Sequence, residues 1–288
     1  MAKKKTVLDF IRMKENGERF SSIVLYDFTF AMLAEQAGID MILIGDSMGN
    51  VIYGYDGTVP VTLDQIIAHS GAVRRGAPNT FVIGDMPFLS YSVSIRETVA
   101  NAGRLYKEAM VDAVKMEGGR RIVSHVKAVV DAGMVVQGHI GITPQSVAAQ
   151  GGFGAQGRTL DDALALLEDA EALQEAGAAA IVLEGLPADA ARMISERLRV
   201  PTISTGAGPY CDAQSLNFMD VVGIYQMFTP KFVKRYATLG ERIRAAIGTY
   251  ADEIRLGAYP APEHCYGMRD GEQAKLAEWS AAHEVPHR

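Results

Sequence analysis

The segment Ile39-Asp-Met-Ile-Leu-Ile-Gly-Asp-Ser-Met-Gly49 decides the fold. Residues 41–44 are wholly apolar, long enough for a strand buried on both faces and too short for a helix. The run breaks into Gly45-Asp46-Ser47, which puts a carboxylate and a hydroxyl at the strand's C-terminal mouth. The arrangement recurs at Phe81-Val-Ile-Gly-Asp85, Ala113-Val-Lys-Met-Glu117 and Ala180-Ile-Val-Leu-Glu184. In each, an acid stands at or just past the end of an apolar run. In parallel α/β folds that edge of the sheet is where ligands bind. Four carboxylates are therefore expected to converge there.

Working outward, strands are expected at 21–26, 41–44, 80–83, 113–116, 134–140, 180–183, 202–205 and 221–224. Amphipathic helices lie between them and stop at small residues such as Gly38, Gly133 and Gly177. A further helix over 7–15 precedes the first strand. Eight strands alternating with helices over about 250 residues predict a single α/β (β/α)8 TIM barrel. A doubly wound sheet is the alternative, but no glycine-rich phosphate loop follows the first strand. The barrel domain is expected to span 1–266, with 267–288 as a C-terminal extension of weak periodicity.

A net charge of −6 argues against a nucleic-acid partner. No apolar run approaches the ~18 residues that would suggest a membrane span. The basic start Ala2-Lys-Lys-Lys5 lacks the apolar stretch of a signal peptide. Cys211 and Cys265 supply neither a disulfide framework nor metal-ligand spacing. A cytoplasmic protein is expected.

Asp46, Asp85 and Glu117 come from strands two, three and four. Carboxylates gathered at one mouth repel unless a cation binds them, and an all-oxygen donor set favours a hard ion such as Mg²⁺. The plainer alternative is that each acid caps the helix after it. Lys115, two residues before Glu117, points the same way as that acid. It could hold a substrate carboxylate, form a Schiff base, or neutralise Glu117. His139 reaches the same mouth, as a pocket group or a structural hydrogen-bonding group. Glu184, on strand six, faces the cluster and is placed for general-base work, unless it merely pairs with Lys115. The loop from Gly141 to Gly154 is a lid, a subunit contact or plain surface. A metal, a lysine and an opposed base together suggest proton abstraction beside the carbonyl of a 2-oxo acid.

Several longer motifs carry a resemblance. They include Gly45-Asp46-Ser47-Met-Gly49, Gly54-Tyr-Asp-Gly-Thr58-Val-Pro60, Gly84-Asp85-Met-Pro87-Phe88, Val114-Lys115-Met-Glu117-Gly-Gly119 and Gly138-His139-Ile-Gly141-Ile-Thr-Pro-Gln145. With Tyr259-Pro-Ala-Pro-Glu263-His264 they run in one register from Val7 to Tyr266, and the chain resembles the ketopantoate hydroxymethyltransferase family. The resemblance implies a barrel of the phosphoenolpyruvate/pyruvate type in a large homo-oligomer. It implies transfer of a hydroxymethyl group from methylenetetrahydrofolate to 3-methyl-2-oxobutanoate, in the route to pantothenate. By the same likeness Asp46 and Asp85 hold Mg²⁺, Glu117 reaches its water shell, and Ser47 and Lys115 bind the substrate carboxylate. Glu184 is the general base and His139 lines the pocket. Gly57, the 204–219 stretch and the C-terminal tail depart from the family pattern. A Mg²⁺-dependent, folate-free carbon–carbon lyase or aldolase on the same barrel is the alternative.

Overall fold

The computed structural model describes residues 4–283. Its strands are β1 (Phe20–Val24), β2 (Met41–Ile44), β3 (Phe81–Asp85), β4 (Ala113–Glu117), β5 (Val136–Gly141), β6 (Ala180–Glu184), β7 (Thr202–Thr205) and β8 (Ala213–Asn217). They pair in parallel, in chain order, and β8 closes on β1. The α/β barrel is therefore present.

The first seven expected strands are found with their ends shifted by at most two residues. The eighth is a correction. Residue 221 ends the short helix Phe218–Val221, and Gly223, at φ +67°, turns the chain instead of extending it. The strand that closes the barrel lies earlier, at Ala213-Gln-Ser-Leu-Asn217, paired along its whole length with β1. Small and polar side chains hide it from an apolarity reading, because its order comes from ladders on both edges rather than from greasy faces.

Each strand separates two environments, since alternate side chains point to opposite faces. Outward residues such as Ile42, Val82, Val114 and Ile181 are fully buried beneath the helices. Inward residues at the N-terminal ends, among them Phe20, Met41, Phe81, Ala113, Ala180 and Ala213, form a second apolar cluster. The helix Val7–Glu15 closes that end. Thr6 and Asp9 form its capping box, and its Phe10 lies with ring centroids 4.7 Å from Phe20 and 5.3 Å from Phe81. Burying such a side chain contributes roughly 1.5–3 kcal/mol.

Side-chain caps fix where several later helices begin. Asp27 accepts from the Phe30 N–H at 2.9 Å, and Thr62, Ser94 and Thr159 do the same work for the helices at 63–76, 95–109 and 160–175. The chain divides into two compact units between Ala237 and Thr238, so residue 266 falls inside the second. That second unit contains the helices Leu239–Arg255 and Glu272–Ala282, neither with a buried residue.

Candidate active site

The C-terminal mouth of the barrel gathers the expected residues. Asp46, Asp85, Lys115, Glu117 and His139 are all buried, and Glu184 is the more open member, its side chain 22% exposed. None of the four acids caps a helix: Ser47, Ser94, Gly119 and Pro187 occupy the N-cap positions that follow them.

Strand register builds the electrostatics. Asp85 is the direct neighbour of Lys115, and Glu117 of His139. The Lys115 ammonium accordingly donates to both oxygens of Asp85, at 2.7 and 2.8 Å, and stands 3.8 Å from Glu117. His139 stands between two acids, with Nδ1 3.3 Å from Glu117 Oε2 and Nε2 3.3 Å from Glu184 Oε2. Neither ring nitrogen has hydrogen-bond geometry to a described residue, so these attractions are ionic. The charges alternate from β3 to β6 as Asp85, Lys115, Glu117, His139, Glu184. Glu184 is thus tied to His139 rather than to Lys115.

The proton affinities follow. Burial favours neutral Lys115, but Asp85, Glu117 and Asp46 outweigh it and hold the ammonium above its ordinary value. A lysine held protonated has no lone pair for a Schiff base. Burial also favours a neutral His139, yet Glu117 and Glu184 push it up to about 9. Burial would raise Glu117, but His139, Lys115 and the Gln145 backbone N–H hold it below the usual carboxylate range. Asp46 differs. Burial and the charge of Asp85 push it up to about 8, and its side-chain hydrogen bond comes from the neutral amide of Gln145 at 2.9 Å.

Four carboxyl groups face two cations here, and the proton that Asp46 holds below about pH 8 relieves part of the excess negative charge. Among the described residues no group of three or more His, Cys, Asp or Glu is set as a metal-binding cluster. Lys115 engages both oxygens of Asp85, so Asp46, Asp85 and Glu117 share one mouth without forming a ligand set. Their chemistry nevertheless fits a hard divalent ion: every donor is oxygen, and among the described residues Asp46 makes no direct ion pair, feeling the Lys115 charge only at a distance.

Four further residues shape the site and were not picked out from sequence. Gln145 ties Asp46 to Glu117, since its side-chain amide reaches Asp46 while its backbone N–H donates to Glu117 Oε1 at 2.8 Å. Tyr91 donates to Gln145 Oε1 at 2.8 Å. Tyr26 contacts Ser47, and Asn217 contacts Tyr26. The Thr-Pro-Gln run and the 211–217 stretch, which Asn217 ends, carried the only signal for Gln145 and Asn217. At Gly141, φ is +97° and an added Cβ would lie 2.2 Å from the Glu184 carbonyl oxygen, so only glycine lets β5 pass beneath Glu184.

The eight-stranded parallel barrel belongs to a structural class seen in solved proteins. Phosphonopyruvate hydrolase, solved with oxalate and Mg²⁺, superposes with a TM-score of 0.57 at 16% identity, covering 98% of this chain and 99% of that one. A 2,3-dimethylmalate lyase, described as a member of the PEP mutase/isocitrate lyase superfamily, gives 0.57 at 18%, covering 96% and 98%. These likenesses establish the fold.

Sequence comparison is more specific. A 3-methyl-2-oxobutanoate hydroxymethyltransferase of Heliobacterium modesticaldum is 53% identical over 270 residues, covering 94% of this chain and 98% of the relative. One from Alkaliphilus metalliredigens is 49% identical, covering 95% and 96%. The ketopantoate hydroxymethyltransferase family model matches residues 4–262, and the chain belongs to that family.

Proposed function

We propose that this chain transfers a hydroxymethyl group from methylenetetrahydrofolate to 3-methyl-2-oxobutanoate, giving 2-dehydropantoate for pantothenate synthesis. The single observation that carries the reading is the alternating charge array that begins at Asp85 and ends at Glu184, with Asp46 beside it making no direct ion pair among the described residues. In this reading Asp46 and Asp85 would hold Mg²⁺, with Glu117 reaching its water shell, and the ion would supply Lewis-acid polarisation of the substrate's keto oxygen. Ser47 and Lys115 bind the substrate carboxylate, Lys115 as a fixed positive charge. Glu184 removes the C3 proton, and the electron pair of that C–H bond moves into the enolate. His139, lining the pocket, holds the Glu184 carboxylate in place while the proton moves. Water opens the folate's methylene bridge: both C–N bonds break, its two protons pass to the folate nitrogens and tetrahydrofolate leaves, and the enolate carbon bonds to the released one-carbon aldehyde, whose oxygen takes up the proton held by Glu184.

Catalysis in the cytoplasm by a large homo-oligomer completes the proposal. Its support is two free cysteines and the exposed Ile243, Ile247 and Ile254 on one face of Leu239–Arg255. Among the described residues no helix is long and apolar enough to cross a membrane.

The test is product formation. 3-Methyl-2-oxobutanoate, methylenetetrahydrofolate and Mg²⁺ together should yield 2-dehydropantoate by mass spectrometry, with none when any one is omitted. C3 exchange without product would instead favour a folate-free carbon–carbon lyase, a reading supported by sequence departures that gather on β7, β8 and the loop between them.

A further inference from the structure

Ser47 occupies the N-cap position of the short helix Met48–Val51, yet its side chain makes no capping bond. Its hydroxyl is instead engaged from behind. Tyr26 Oη lies 2.8 Å from Ser47 Oγ, and Asn217 Nδ2 lies 2.5 Å from the same phenol oxygen. The polarity of this chain is determined by its far end. Asn217 Oδ1 accepts the Met219 backbone N–H at 3.0 Å, which fixes the amide orientation and turns its NH₂ group toward Tyr26. An amide nitrogen can only donate, so the phenol oxygen must accept. The phenol has one proton left, and Tyr26 is 1% exposed. Turned anywhere but Ser47, that proton would be a buried unsatisfied donor, a costly arrangement. Ser47 Oγ therefore accepts from Tyr26, and its own proton is left to point outward.

We propose that Asn217 and Tyr26 are positioning residues that force the Ser47 hydroxyl to act as a hydrogen-bond donor toward an anionic ligand group. The inference rests on the reading above, in which that group is the carboxylate of the 2-oxo acid. A serine hydroxyl can otherwise donate or accept, and half of that freedom is useless to a carboxylate, which only accepts. The relay removes it. It also gives β8 a role in the site, 191 residues away in sequence from the tyrosine it orients.

Polarity reversal tests the relay without changing shape. In Asn217→Asp the carboxylate still accepts from Met219 but now also accepts the phenol proton, so Tyr26 must take the Ser47 proton. KM for 3-methyl-2-oxobutanoate in the C3-exchange reaction should rise about 100-fold, as expected for a hydrogen bond to a charged group. The rate constant at saturation should stay within about threefold, since the contact is made equally in ground and transition states. Tyr26→Phe should raise KM only about fivefold, because Ser47 keeps its proton. The decisive variant is the double one. Adding Tyr26→Phe to Asn217→Asp frees the Ser47 proton and should restore KM to within about threefold of Tyr26→Phe alone. A double variant as impaired as Asn217→Asp, or an Asn217→Asp of unchanged KM, overturns the relay. Ser47→Ala separates the two readings. If it leaves KM unchanged, the carboxylate assignment itself fails; if it raises KM while the double variant shows no rescue, only the relay fails.

Discussion

The two ends of the barrel interior are built on the same eight strands and obey opposite rules. At the N-terminal end the inward positions are Phe20, Met41, Phe81, Ala113, Ala180 and Ala213, capped by Phe10. Two residues further along β4 the inward position is Lys115, and two further again it is Glu117. Apolar contacts at one end are non-directional and stabilise the fold through burial. Ionic contacts at the other add little net stability, because removing each charge from water offsets much of the attraction. The lower end makes the fold, and the upper end buries charges that the fold itself does not require. Removing one member of the charge array leaves its partners buried and uncompensated.

The largest effect should come from Lys115→Met. It strands Asp85 and Glu117, and should cost about 3–5 kcal/mol in denaturant unfolding together with nearly all activity. Phe10→Ala should cost a similar 3–5 kcal/mol, yet the protein that remains folded should turn over normally. Equal activity loss per folded molecule in both variants would break the comparison.

A smaller effect sharpens the upper end. The Asp46 carboxyl is raised to about 8 in the folded protein from an ordinary value of 3.8. Between those values the metal-free folded state binds more protons than the unfolded chain, so its stability falls as pH rises across that window. Mg²⁺ needs the ionised carboxylate, so its apparent affinity should climb up to tenfold per unit as pH rises towards about 8, then level off. Calorimetric titration at pH 6.5, 7.5 and 8.5 checks this; a flat profile would show that Asp46 is already ionised.

The smallest effect lies at the lower end. Gln137 Oε1 is buried without a hydrogen-bond partner among the described residues, beside an apolar cavity of about 10 Å³. Gln137→Leu should change stability by under about 1 kcal/mol, or raise it, with activity intact. A clear loss on thermal unfolding would show that the amide has a structural partner at that end.

The fold was legible wherever a strand is buried on both faces. Met41–Ile44 appears where apolar patterning puts it, and Ala180–Glu184 within one residue of it. β8 was not, because its inward residues Ala213, Ser215 and Asn217 are small or polar and its pairing is set by β1 and β7. The acids Asp46, Asp85, Glu117 and Glu184 were legible because each ends an apolar run. Their partners were legible only where strands place them side by side, as for Lys115. Tyr26, Gln145 and Asn217 act through hydrogen bonds between segments distant in sequence, and no local pattern announces such a contact. Glu184 was expected to face the cluster from across the barrel. The structure adds that His139 couples it ionically to Glu117.

The central claim is that the charge array presents Glu184 as a base to a carbon acid. Proton exchange at C3 of 3-methyl-2-oxobutanoate in heavy water, followed by NMR with and without Mg²⁺, tests it most directly. The account predicts Mg²⁺-dependent exchange in the wild-type protein and a loss of at least about 100-fold in a folded Glu184→Gln variant. Exchange at the wild-type rate in that variant would contradict it.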